Sequence, residues 1–224
     1  MKNITITLFL IKFLFLCSCI VPESTHIAPK FYLLSHNNVD QNESDSKILN
    51  FNDLNISKSI NAFYIKQVEL PSYLDQNRIV YRLKADEIQF CENDRWGEPL
   101  EEGFGRVLGS SLSRSLKSPF FSVFPHRKKN GSYFELVVSL DRFEKISNSE
   151  VLLSGGWEVY TQDFKNGTHP IINGNEVIRA KINNEKASTN NLNDEIFALS
   201  ESINIFAIRV ANAYKDLRIS LSSN

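Results

Sequence analysis

A cysteine thiol that directly follows a small residue at the end of an apolar run can be acylated, and Leu16-Cys17-Ser18-Cys19 offers that arrangement. Lys2 precedes an apolar stretch from Ile4 to Leu16, the layout of a cleaved export signal. At about 13 residues the stretch is shorter than the roughly 20 that a spanning helix needs. Cys19 is the better acceptor, because Ser18 stands before it, whereas Cys17 follows the bulky Leu16. Several acyl chains of palmitate size on Cys19, at about 0.8 kcal/mol per buried methylene, hold a protein on a bilayer far more firmly than one chain can. The reading is residues 1–18 as a lipoprotein signal and 19–30, with Pro22 and Pro29, as a lipidated N-terminus and tether. Ile20 after the acceptor, where the enterobacterial rule for retention asks for Asp, points to the outer membrane. Lys12 inside the apolar run keeps a plain secretory signal or a short uncleaved anchor open.

Other chemistry is sparse. His26, His36, His126 and His169 lie in the tether or in predicted loops, and no two have a zinc-ligand spacing. Gly103, Gly105 and Gly109 fall inside a helical stripe rather than between a strand and a helix, so they are packing glycines and not a phosphate loop. The adjacent pair Glu101-Glu102 projects in two directions from a helix. Cys91 is the one cysteine after Cys19, which excludes an intramolecular disulfide and leaves it as a small, partly buried residue. No catalytic residue, metal ligand or cofactor site is assigned. With 25 basic and 26 acidic residues and a net charge of -1, no overall field favours nucleic acid. The basic cluster His126-Arg127-Lys128-Lys129 reads as a solvated turn.

The elements that must position any site follow from periodicity. Strands are expected at Phe31–Leu34, Ala62–Leu70, Ile79–Ala85, Ile88–Cys91, Phe120–Phe124, Tyr133–Phe143, Val151–Tyr160 and Val177–Ile182, with Asp86-Glu87 closing a hairpin. Gly155-Gly156 marks a bulge or a close backbone approach. Leu100, Phe104, Val107, Leu108 and Leu112 form a helical stripe over Pro99–Leu116. Ile196, Leu199, Ile203, Phe206, Val210, Ala213 and Leu217 form a second over Asn193–Leu217. A coiled-coil seam gives the same spacing, but one amphipathic helix in a sheet-rich chain serves its own core. The fold expected is α+β, a mixed and largely antiparallel sheet with two main helices packed on one face. Residues 31–224 form one domain in this reading, with 35–60 a long polar loop rich in Asn, Asp and Ser.

Two blocks are distinctive: Leu70-Pro71-Ser72-Tyr73-Leu74-Asp75 followed by Arg78-Ile79-Val80-Tyr81-Arg82, and Arg95-Trp96-Gly97-Glu98-Pro99-Leu100 opening the first helix. Together with Phe31-Tyr32-Leu33 and the acylation pattern, they resemble the ABC-type transport auxiliary lipoprotein family. The resemblance implies a non-catalytic, periplasm-facing lipoprotein of the outer membrane. It would work with an MCE-domain protein and its inner-membrane transporter in moving lipid between membranes, and it admits self-association. The competing class is a lipid-anchored periplasmic hydrolase whose carboxylate pair sequence spacing does not reveal. Leu70, Pro71, Tyr73 and Leu74 lie in a proline-broken segment where several apolar side chains cannot all face a sheet, so with Arg78 they are the expected partner-binding residues. Capping of the core edge by Tyr73 and Leu74 is the alternative. Trp96 likewise has two readings, interface anchor and core corner.

Overall fold

One strand of fifteen residues, Tyr133–Ser147, organises the sheet. The computed structural model describes residues 27–35, 62–118, 121–126, 133–161, 169–183 and 192–222. Cys19, the tether before Ile27, the polar stretch from His36 to Asn61 and Arg127 to Lys129 lie outside the described residues. In chain order the elements are β1 (Lys30–Tyr32), β2 (Ala62–Glu69), β3 (Arg78–Lys84), β4 (Glu87–Trp96), α1 (Leu100–Ser115), β5 (Phe121–Val123), β6 (Tyr133–Ser147), β7 (Glu150–Thr161), β8 (Ile172–Lys181) and α2 (Leu192–Ser222).

β6 pairs along one edge with β7, which carries β8, and along the other with two strands placed end to end. β2 runs parallel to its first half, from Ala62 beside Tyr133 to Glu69 beside Ser139, and β3 meets it in parallel where Tyr81 faces Lys145. Between those last two partners β6 advances six residues while the other chain advances twelve. The excess leaves the sheet as the turn from Leu70 to Asn77. Beyond β2 lies β5, and beyond β3 lie β4 and then β1.

The expectation of a largely antiparallel sheet is therefore corrected. Among the described residues four of the seven strand pairings are parallel, those of β1 with β4, β2 with β5, β2 with β6 and β3 with β6. Antiparallel pairing holds for β3 with β4, β6 with β7 and β7 with β8. These three join neighbours in sequence, as short turns require. Each parallel pair joins segments separated by other elements, and no local residue pattern announces such a pairing.

Side chains alternate along β6 as a half-buried strand demands: Leu136, Val138 and Leu140 are buried. The register with β7 slips by one residue between Leu140 and Arg142, a bulge that lets Phe143 and not Arg142 continue the apolar row. Gly155 stands opposite, where a Cβ would lie 2.4 Å from the Ser139 carbonyl. Phe104 of α1 meets Phe143 of β6 and Phe206 of α2 edge to face, at ring separations of 5.6 and 6.3 Å. Such contacts add about 0.5–1.5 kcal/mol each beyond their burial. α1 also packs on β2 and β5, and α2 on β7 and β8. By length and composition Leu192–Leu217 could cross a membrane, but 56% of its apolar window is buried within the protein. Ile203, Phe206, Ala207, Val210 and Ala211 are wholly enclosed, which marks a core helix.

Candidate functional site

The turn that leaves the sheet between β2 and β3 is fastened to β6 by one buried carboxylate. Pro71 holds Leu70 extended, and its carbonyl accepts the Leu74 N–H at 2.8 Å and the Asp75 N–H at 3.3 Å. That bend drives Leu74 into the core, where it is 2% exposed, and leaves Leu70, Pro71 and Tyr73 half-buried. The Tyr73 hydroxyl lies 2.7 Å from Glu144 Oε2 and 3.1 Å from the carbonyl of Asp141, the residue skipped in the β6–β7 register. Gln76 Nε2 donates back to the Tyr73 carbonyl at 2.8 Å.

Glu144 has no exposed surface. Its Oε1 receives the Nε–H groups of Arg82 from β3 and Arg142 from β6, each at 2.8 Å. Arg82 also lies 5.4 Å over the Tyr73 ring and donates to the Ala85 carbonyl at 3.2 Å. Two guanidiniums and a phenol thus occupy both oxygens of one carboxylate, and the buried charge is paired as burial requires. Burial first, and then the hydrogen bond to Glu144, pushes the Tyr73 phenol well above its ordinary value, against the opposing charge of Arg82. Tyr73 is a fixed donor. With three donors on its two oxygens, Glu144 positions the turn.

Of the residues expected to bind a partner, the structure places Leu70, Pro71, Tyr73 and Leu74 in this turn. It places Arg78 at the start of β3, exposed, with its guanidinium 4.9 Å over the Phe90 ring. Trp96 is 7% exposed at the end of β4, its backbone N–H bonded to the Asn77 carbonyl at 2.7 Å, so it is a core residue at that corner. Glu144, Arg142 and Arg82 were missed by the sequence reading. The spacing of Arg142 and Glu144 on one strand was the only local signal, and their partner Tyr73 is 71 residues from Glu144.

A second group of ionisable residues lies on the other side of β6. Lys145 Nζ is 3.1 Å from Glu195 Oε2 of α2, while Glu195 Oε1 is buried without a hydrogen-bond partner. Cys91, Asp94 and Tyr81 line the same cleft of about 340 Å³. Burial, opposed by Lys145, raises the Glu195 carboxyl above its ordinary value. Burial and then the charges of Glu195 and Asp94 push the Cys91 thiol up to about 11, which suppresses the thiolate a nucleophile needs. Among the described residues no three His, Cys, Asp or Glu side chains are grouped to hold a metal ion.

The sequence profile of the ABC-type transport auxiliary lipoprotein component matches residues 55–203, a span containing the turn, Glu144 and the start of α2 as far as Ile203. The chain belongs to that family. Its fold is similar to the crystal structure of an uncharacterized protein at TM-score 0.60 and 18% identity, covering 83% of this chain and 98% of that one. It is also similar to a Xanthomonas campestris protein at TM-score 0.56 and 11% identity, covering 73% and 88%. At these identities the likeness is one of fold. No curated protein matches the sequence. The auxiliary lipoprotein thus has a family, a fold and, in the turn over Glu144, one surface segment that its interior holds in a single shape.

Proposed function

We propose that this auxiliary lipoprotein is a non-catalytic subunit of an ABC/MCE-type system that moves lipid between the two membranes of the envelope. Acyl chains on Cys19 anchor it to the periplasmic side of the outer membrane, and residues 31–224 act as one docking domain reached through the 19–30 tether. The observation that carries this reading is family membership across the part of the chain that builds the sheet and its turn. The turn supports it physically. A segment whose tyrosine and glutamine are tied down loses little conformational entropy when a partner meets it, and preorganisation of that kind favours binding. Confinement of the domain to one surface raises its effective concentration toward a partner there.

The test is affinity isolation from crosslinked membranes of cells carrying the full chain with a C-terminal tag. An MCE-domain protein or transporter subunit should be recovered with the parent chain, and the yield should fall when Pro71→Ser and Arg78→Glu are combined in a variant that melts like the parent. Cys19→Ser should release or misplace the protein and abolish incorporation of labelled fatty acid. Recovery of no transporter component, or continued acylation of the Cys19→Ser chain, would overturn the corresponding part of the reading.

A further inference from the structure

A groove of about 780 Å³ opens along β2 just past the point where β5 stops. β5 follows β2 only from Phe63 to Ile65, and the Phe124 N–H closes the pairing on the Ile65 carbonyl at 2.9 Å. β2 continues through Gln67, Val68 and Glu69, paired on its other side with Val137, Val138 and Ser139 of β6. Among the described residues no strand covers the outer edge of those three residues. Val68, Leu70 and Val123 supply apolar lining. α1 bounds the groove at close range because residue 105 is glycine, where a Cβ would lie 2.8 Å from the Val123 side chain. Phe124 lines it too and is 61% exposed.

Among the described residues the charges around this groove are one-sided. Glu69, Asp75, Glu101 and Glu102 line it, and the one described lysine there, Lys66, has its Nζ 3.0 Å from Glu135 Oε2. An uncovered strand edge offers backbone donors and acceptors in a row, the template on which an extended peptide adds as a further strand. An acidic wall selects a basic one and speeds its encounter.

We propose that the groove receives an extended segment of a partner protein, apolar and lysine- or arginine-bearing at alternate positions, which adds to the free edge of β2 in line with β5. The proposal rests on the reading of this chain as a transporter subunit and adds to it a mode of docking and a partner chemistry.

The direct experiment uses the purified full chain in detergent and a fluorescent ten-residue peptide of alternating Lys and Val. Binding should be saturable and should weaken at least tenfold with Glu101→Gln and Glu102→Gln combined, and be absent for a peptide with Glu in place of Lys. A peptide of the same charge with alternate backbone nitrogens methylated should also bind at least tenfold more weakly, since methylation removes the donors a strand needs. Equal binding of the methylated peptide, or of the glutamine variant, would overturn strand addition. Arg127, Lys128 and Lys129 follow closely in the chain and are the competing occupant. Tenfold tighter peptide binding after their replacement by Ala would assign the groove to them and overturn the proposal. In membranes, p-benzoylphenylalanine in place of Phe124 should form an adduct with a basic segment of a transporter subunit. A complex that still co-purifies without that adduct would sink the groove and leave the subunit reading standing. Absence of any complex would sink the subunit reading itself.

Discussion

Glu144 and Lys145 are neighbours on β6, and each anchors a buried ion pair, but the two pairs are built to different standards. Glu144 has both oxygens occupied, by two guanidiniums and a phenol drawn from three separate segments. Lys145 reaches only one oxygen of Glu195, and the other is buried with nothing to accept. A carboxylate taken out of water keeps its place cheaply only when its lone pairs are filled. The first pair therefore defines a shape, that of the turn from Leu70 to Asn77. The second leaves part of its desolvation cost uncompensated, and Glu195 shows that cost as a raised carboxyl pKa.

The largest consequence is expected at Glu144 itself. Glu144→Gln leaves Arg82 and Arg142, partly exposed at 20% and 34%, facing a buried neutral amide. Loss of one partner from a buried pair costs about 3–5 kcal/mol, and the solvent that reaches the guanidiniums puts this change toward the lower figure. The same change at Glu195 takes the counter-charge from Lys145 but leaves it an amide oxygen to bond and relieves a poorly solvated carboxylate, so it should cost less than half as much. Urea denaturation of the two variants at pH 7 makes the measurement. Equal losses would break the comparison.

Tyr73→Phe is next. It keeps the ring under Arg82 and deletes only the hydroxyl that reaches Glu144 Oε2 and the Asp141 carbonyl. A hydrogen bond to a charged group is worth about 1.5–3 kcal/mol. The melting midpoint should fall accordingly, and hydrogen exchange at the Leu74 and Asp75 amides should speed up more than exchange in α2. A uniform change across the protein would show that Tyr73 supports the core generally rather than the turn.

This contrast also marks what could be read from residues alone. The apolar rows of β6 and the three- and four-residue steps of both helices are local, and those elements lie close to where periodicity put them, whereas β8 starts at Ile172, ahead of the expected Val177, in a polar stretch that pairs with β7. β4 extends to Trp96, past the expected end at Cys91, because Glu92 to Arg95 are polar residues on a strand whose pairing with β1 is set from outside. The parallel pairings were illegible for the same reason, since β2 and β3 share one edge of β6 only after a twelve-residue path is shortened by the turn. At the site, proline and tyrosine announced an irregular segment, but its fixation did not follow. The burial of Glu144 depends on partners 62 and 71 residues away.

Acidity gives the third way to test the difference. Glu195 holds its proton more tightly folded than unfolded, so between its ordinary pKa of 4.5 and its folded value the native state binds more protons than the unfolded one. Its contribution to stability is then fully present below pH 4.5 and is lost as pH rises through the folded value, by at most about 1.4 kcal/mol for each pH unit of that window. Subtracting the stability curve of Glu195→Gln from that of the parent between pH 4 and 8 should isolate a falling difference. A rising one would mean that Lys145 outweighs burial and that the two pairs are alike in kind.

The smallest effect is read at Cys91, which faces the same cleft. Its thiol stands at about 11 because of burial first and the Glu195 charge next, with Asp94 adding to both. Alkylation by neutral iodoacetamide proceeds through the thiolate, so the rate at Cys91 in the folded protein, followed by mass spectrometry of the modified peptide, should stay low at pH 8 and climb only toward pH 11. Glu195→Gln removes a negative charge that opposes the thiolate, and the climb should begin at lower pH. Glu144→Gln, on the far side of β6, should leave its midpoint where it is, provided the variant remains folded under the assay. If both variants shift the thiol equally, the two ion pairs share one electrostatic environment through the strand, and their separation by the sheet is less complete than their hydrogen bonds imply.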